Sequence, residues 1–367
     1  MALDLHKRPF DEGTKVKLSL YKNYMKEWLP VFLRKDSKFR HINVFDFFCG
    51  PGKDDKGKKG SPLITFELLD QYLEDISRFG FTVSLFFNDK RKRKINELKG
   101  YITTLYPNNL PFEVSFSSEN FEDFFKQSIP LMMDRSSANF LFLDQNGIKH
   151  ITKEIFQTIV NIQTTDFLFF ISSSTLCRFN DNPDIKKYIC IPKEILSASE
   201  YCHIHRCVLE YYRSLIPENQ EYYLSPFSIK KGANIYGLIF GTGHLLGIDK
   251  FVNQCWKIDP HTGNSNFDID NDNIDEDQMP LFPEIDRPKK LQGFEKELKD
   301  AILCKKLNTN TEIYKYSLFN GFKAEQARKV VANLIQDGHI PRQRLNISYG
   351  SCRLGKQPQQ INFGLTK

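Results

Sequence analysis

No apolar run in this sequence approaches the ~20 residues that span a bilayer. Its first residues, Met1-Ala2-Leu3-Asp4-Leu5-His6-Lys7, carry no apolar signal core. The expectation is a cytoplasmic protein with no membrane partner. Cysteine is sparse: eight residues (49, 177, 190, 202, 207, 255, 304, 352) lie scattered with no CxxC pair. Without close pairs they read as reduced thiols rather than a disulfide framework. Cys202-His203-Ile204-His205-Arg206-Cys207 crowds four soft donors together, but tetrahedral zinc sites draw their ligand pairs from separate segments. No metal site is expected there. A strong excess of one charge is also missing: the net charge of +6 permits nucleic acid without demanding it. Two phosphate-binding signatures are absent as well. No Gly-Lys-Ser/Thr occurs, which excludes a Walker A loop, and G-x-G-x-x-G fails because position 55 is Asp.

What is present is phenylalanine, 32 residues of it, in short apolar runs separated by helical patterns. Lys15 to Arg34 reads as a helix on the spacing of Leu18, Tyr21, Met25, Trp28 and Leu29, with Pro30 expected to kink or end it. His41–Phe48 is nearly continuous apolar sequence, as expected of a strand buried on both faces. Gly60-Ser61-Pro62 opens a helix, with Ser61 as the expected N-cap. Strands at Thr82–Phe87, Phe112–Phe116, Ala138–Leu143 and Asp166–Ile171 alternate with helices at Lys90–Leu105, Phe121–Met133 and Lys153–Val160. This alternation predicts an α/β, doubly wound, mostly parallel sheet. Residues 184–224 look helical, and Tyr236–Phe240 and Leu245–Gly247 look like late strands.

The turn Asp46-Phe47-Phe48-Cys49-Gly50-Pro51-Gly52 follows the first strand. Glycine there lets the backbone approach a nucleoside. Polar groups end the next strands in register: Asp89 for ribose hydroxyls, Glu119-Asn120 for an adenine edge, and Asp144 for a target group. The D-x-F-x-G-x-G form belongs to methyltransferase-like domains. The candidate cofactor set is therefore Asp46, Phe48, Gly50, Gly52, Asp89, Glu119 and Asn120, holding S-adenosylmethionine. Amino-methylating enzymes commonly follow strand four with Pro-Pro-aromatic. Here the segment is Asp144-Gln145-Asn146-Gly147, without prolines or aromatic.

Composition divides the chain into 1–265 (Rossmann-like), 266–288 (linker) and 289–367 (helical). The linker region, residues 266–287, holds eight Asp/Glu against one Arg. An EF-hand fails there, because Asn273 and Met279 occupy the required Gly and Glu positions. Residues 289–367 hold fifteen Lys/Arg against six Asp/Glu. Helical patterns at Phe294–Lys306, Thr311–Phe319 and Ala324–Gln336, then β-like stretches at Leu345–Tyr349 and Gln360–Phe363, predict a smaller winged helix-turn-helix domain. Candidate nucleic-acid contacts are Lys90, Arg91, Lys92 and Arg93 at a helix start, and Lys323, Gln326, Arg328 and Lys329 on the third C-terminal helix.

These motifs resemble the bacterial three-Cys-motif partner (TcmP) proteins. The resemblance rests on Asp46–Gly52, Lys59-Gly60-Ser61-Pro62-Leu63, Phe142-Leu143-Asp144 and Thr175-Leu176-Cys177-Arg178-Phe179. It continues through Asn234–Phe240, Lys250-Phe251, Trp256-Lys257 and Asn266–Asp270. It implies a methyltransferase-like fold, a partner bearing a radical-SAM-like three-cysteine motif, and residence in mobile or antiviral defence loci. That family tends to read Leu-Asp-Pro-aromatic-Gly after strand four, and this chain departs from it. The candidate catalytic residues are Asp144, Asn146 and Arg178. Three readings remain open: a nucleic-acid methyltransferase, a catalytically inactive Rossmann scaffold that binds nucleic acid and a partner, and a metal-dependent nuclease using Asp46, Asp89 and Asp144.

Overall fold

The computed structural model describes residues 8–107, 111–145, 147–179, 182–183, 188–189, 191–192, 203–232, 234–272 and 287–364. The chain divides into two compact units, 1–243 and 244–367. In the first unit the helices are α1 (Glu12–Phe32), α2 (Ser61–Leu69), α3 (Leu73–Phe79), α4 (Lys92–Leu105), α5 (Phe121–Met132), α6 (Lys153–Asn161), α7 (Ser173–Phe179) and α8 (Ile204–Ser214). The strands are β1 (His41–Asp46), β2 (Thr82–Asn88), β3 (Glu113–Ser117), β4 (Ser137–Leu143), β5 (Thr165–Ile171), β6 (Tyr223–Lys231) and β7 (Asn234–Thr242). They form one seven-stranded sheet of order β3-β2-β1-β4-β5-β7-β6. β1 to β5 are parallel, and β7 enters antiparallel between β5 and the edge strand β6. This is the Rossmann-like, methyltransferase-type doubly wound arrangement, with its order reversing beside β1.

The two faces of the sheet follow from side-chain alternation. Phe45, Phe47, Leu141, Leu143, Phe167, Phe169 and Ile171 join one core with residues of α5, α6 and α8. Phe140, Phe142 and Phe240 face α1, where Tyr21 and Tyr24 lie 4.6–5.8 Å from their rings. Asp46, Asp144 and Phe170 share the parity of this second face. Pro30 is accommodated inside α1, which runs on to Phe32.

Two expectations about the late elements are corrected. The stretch expected to be helical up to 224 yields to β6 from Tyr223 onward, and Leu245–Gly247 opens a helix, not a strand. Pro226 and the serines of β6 mask its apolar alternation, and an edge strand tolerates the missing N–H. The His244 imidazole accepts from the Leu246 N–H and caps the helix that follows.

The second unit contains α9 (Leu245–Ile258), α10 (Lys289–Leu303), α11 (Asn310–Phe319), α12 (Ala324–Gln336) and α13 (Tyr349–Cys352). It begins upstream of the boundary expected at 265. The Trp256 indole N–H of α9 donates to the Gly321 carbonyl at 2.8 Å, and Phe294 stacks on Phe322 with centroids 3.8 Å apart. Asp259 accepts backbone N–H groups from His261, Thr262, Asn264 and Ser265, and the Lys290 ammonium of α10 donates to the Thr262 carbonyl and Asn264 Oδ1, so residues 259–265 are folded against this unit. Most of the acidic stretch, 273–286, lies outside the described residues. α11 starts with a capping box between Thr309 and Glu312, and Gly321 (φ 74°) turns the chain into α12. The expected β-wing does not form among the described residues. Residues 345–348 are held by the Arg328 guanidinium on the Ile347 carbonyl and by Gln359 on the Asn346 N–H, and Gln360 makes only a single bridge with Thr309. Side chains take the backbone groups that a hairpin ladder would use.

Candidate functional site at the carboxyl edge of the sheet

The first turn is built around Asp46, which is 1% exposed. Ser61 Oγ donates to its Oδ2 at 2.7 Å, and the Phe48 N–H donates to its Oδ1 at 3.3 Å. The hydroxyl expected to cap α2 is therefore spent on Asp46, and Gly60 sits at the N-cap instead. Burial pushes the Asp46 carboxyl up to about 7, opposed by the Ser61 hydrogen bond and reinforced by the nearby charge of Asp144. Gly50 (φ 63°) and Gly52 (φ 87°) take left-handed backbone conformations. A Cβ on Gly52 would lie 2.7 Å from Leu98 Cδ1, so this glycine also permits α4 to pack on the turn.

Past the turn, Lys53 bridges to Lys59 and closes the lysine loop on itself. Buried Asp54 accepts from the N–H groups of Phe10, Lys56 and Lys58, and these bonds outweigh its burial and hold its carboxyl below the ordinary aspartate range. Lys59 and Lys22 both donate to Glu67, whose carboxyl falls to about 2.

Asp89 follows β2 as expected, but it is engaged. The Arg91 N–H donates to its Oδ1 at 2.8 Å, and the buried Lys94 Nζ lies 3.7 Å from its Oδ2. Sequence reading missed Asn88. Its side chain donates to the Phe47 and Glu119 carbonyls and accepts from the Glu119 N–H, tying the first and third strand-end loops together. Glu119 accepts from Gln127 at 2.7 Å, and exposed Asn120 is the N-cap of α5. Half-buried Phe48 stacks on Phe121 (centroids 5.3 Å) and lies 5.2 Å from the His150 ring, which pairs with Glu122. The Gln145 side chain accepts from the His150 N–H, while its buried Nε2 has no hydrogen-bond partner among the described residues.

Asp144 receives the ammonium of Lys17, which lies only 8% exposed on α1. Lys17 continues the stripe of Tyr21, Tyr24 and Trp28, so a lone cation on an otherwise apolar helix face was the available signal. Asn146 lies outside the described residues. Arg178 is exposed and donates to Asn234 Oδ1 at 3.0 Å, so it marks the β7 side of the edge. Among the described residues no group of three His, Cys, Asp or Glu is placed to hold a metal ion. Asp46, Asp89 and Asp144 each have a hydroxyl or cation partner instead. His205 is buried and faces Ser228, and Cys202 lies outside the described residues.

The two basic sets differ. Lys90, Arg91 and Lys92 are exposed, and Arg93 pairs with Glu97. On α12, Gln326 is buried and Arg328 binds the Ile347 carbonyl, so two of the expected readers serve the fold. Lys323 and Lys329 both pair with Glu325. No helix of the described residues is long and apolar enough to cross a membrane.

No protein-family model matches this chain, and no curated protein sequence matches it. Among solved structures, Trm1 from Pyrococcus horikoshii with S-adenosyl-L-methionine aligns over 79% of this chain and 73% of its own, at 11% identity and a TM-score of 0.31. A DszA carbon methyltransferase aligns over 63% of this chain and 55% of its own, at 12% identity and a TM-score of 0.35. Likenesses this loose have no bearing on chemistry. The methyltransferase-type fold stands on the strand order and the placement of β7.

Proposed function

We propose that the first unit binds S-adenosylmethionine at the β1 turn and methylates a nucleic acid. One observation carries this reading: Asp46, Gly50, Gly52 and Asp89 converge where the strand order reverses, the place where open α/β sheets bind ligands. The residues present fit an adenosyl group. Two left-handed glycines keep Cβ atoms out of the turn, and half-buried Phe48 offers an aromatic face. Bound S-adenosylmethionine supplies an electrophilic methyl group on a sulfonium centre. Asp144 Oδ2 is fixed by Lys17, which leaves Oδ1 to accept an N–H of the target and orient its lone pair. The exposed cations Lys90, Arg91 and Lys92 suit phosphate contact.

Calorimetric titration with S-adenosylhomocysteine tests the cofactor site. Binding to the wild type and its loss in Asp46→Ala are expected; no binding by the wild type sinks the reading. Transfer of labelled methyl from S-adenosylmethionine to RNA or DNA tests the chemistry, and Asp144→Ala is expected to keep cofactor affinity while losing transfer. The Lys17–Asp144 ion pair and the missing aromatic after Asp144 favour one second reading, a binding-only scaffold. It predicts S-adenosylhomocysteine binding with no transfer to any nucleic acid.

A further inference from the structure

The segment after β4 lacks the aromatic on which an amine-bearing base would stack. β5 and β7 bring one to the same place. Phe170 and Tyr236 stack with ring centroids 5.0 Å apart and planes inclined by 15°. Antiparallel pairing sets Phe170 opposite Leu238, so Tyr236 is its diagonal neighbour on the same sheet face. Both rings are half-buried, whereas Phe169, Ile171, Ile235 and Leu238 around them are fully buried. The Tyr236 hydroxyl has no hydrogen-bond partner among the described residues.

The pair adjoins the candidate catalytic group. Lys17 Nζ, bonded to Asp144, lies 4.9 Å from the Phe170 centroid. An aromatic surface, a carboxylate and the Asp46 turn therefore follow one another along one edge of the sheet, from the amino end of antiparallel β7 across the carboxyl ends of β5, β4 and β1. Cations lie on the same side: Lys17 sits over the Phe170 ring, and Arg178 is held by Asn234, two residues before Tyr236. A flat apolar face next to a single acceptor and flanked by cations matches a nucleobase on a phosphodiester strand better than an apolar ligand.

We propose that Phe170 and Tyr236 form the stacking platform for one unpaired base of a nucleic-acid strand. Asp144 Oδ1 faces that base's N–H, and Arg178 contacts the strand's phosphate. The inference rests on the proposed methyl-transfer reading and names its target subsite. It also accounts for the departure after β4: the stacking ring is supplied by neighbouring strands, not by the residues that follow Asp144.

The probes are short single-stranded RNA and DNA oligonucleotides carrying one 2-aminopurine, whose fluorescence is quenched on stacking. Wild-type protein is expected to quench at least one of them. Phe170→Leu and Tyr236→Leu should each remove the quenching and weaken binding roughly tenfold, with S-adenosylhomocysteine affinity by calorimetry unchanged. Tyr236→Phe keeps the ring and should retain the quenching. Equal quenching in wild type and both Leu variants overturns the platform, as does a Tyr236→Phe variant as defective as Tyr236→Leu.

Photocrosslinking of wild-type protein to strands carrying 5-iodouracil needs no variant to fold. Adducts on the peptides bearing Phe170 or Tyr236 support the platform, and adducts confined elsewhere refute it. The two readings fail separately. A strand that crosslinks to these peptides without S-adenosylhomocysteine binding removes the cofactor reading alone. Cofactor binding with adducts elsewhere removes the platform alone.

Discussion

At the scale of single residues, the Asp46 carboxyl sets a pH dependence. Its folded value of about 7 lies above the ordinary 3.8 because burial penalises the charge. Asp166, buried under Tyr24 and Thr242, is raised for the same reason to about 6. Between about pH 4 and pH 7 the folded chain therefore holds protons that the unfolded chain has released, and stability falls as pH rises through that window. Urea denaturation at about pH 5 and about pH 8 should show the fall, and Asp46→Asn should reduce the difference. An unchanged difference would mean that Asp46 is ionised at little cost. Gly52 gives a second prediction. Alanine there would combine a left-handed backbone with a Cβ 2.7 Å from Leu98, at a cost of about 2 kcal/mol or more. The same denaturation experiment reads it, and a variant as stable as wild type would show that α4 yields easily.

At the scale of elements, the lysine loop is held from outside itself. Three backbone N–H groups converge on Asp54, one of them from Phe10 ahead of α1. Asp54→Ala should free the loop, and tryptic cleavage after Lys56 and Lys58 should accelerate several-fold while the rest of the unit resists. Equal cleavage rates would place the restraint in the Lys53–Lys59 bridge alone. Elements also show what could be read from sequence. β1, β4 and β5 were legible because strands buried on both faces become unbroken apolar runs such as Phe140–Leu143 and Phe167–Ile171. β6 was hidden by Ser225, Ser228 and Pro226, the last admitted because β6 is an edge strand. The wing was predicted from β-like composition, yet Arg328, Asn310 and Gln359 side chains hold that backbone instead.

At the scale of the whole molecule, two units with separate cores give two predictions. Calorimetry of the full chain should resolve two unfolding transitions, since Leu298, Ile302, Ile313, Val330 and Leu334 pack within 244–367 and the aromatic sheet core within 1–243. A single two-state transition would show strong coupling between them. If the proposed nucleic-acid contact is made, its affinity should fall with salt. Replacing Lys90, Arg91 and Lys92 by Gln should lower the slope of log affinity against log salt by roughly 2. An unaltered slope would remove α4 from the contact surface.

The sequence by itself determined the parallel sheet, the glycine turn after β1 and the strand-end carboxylates Asp46, Asp89 and Asp144, because each depends on local pattern: apolar runs, backbone freedom and residues that terminate strands. Only the tertiary structure decided which of those groups are open and which are engaged. Lys17 meets Asp144 across 127 residues, Asn88 clamps loops from three strands, and Phe170 finds Tyr236 because β7 inserts antiparallel beside β5. Contacts between residues so far apart in the chain are fixed by strand order and helix packing, which no local periodicity records.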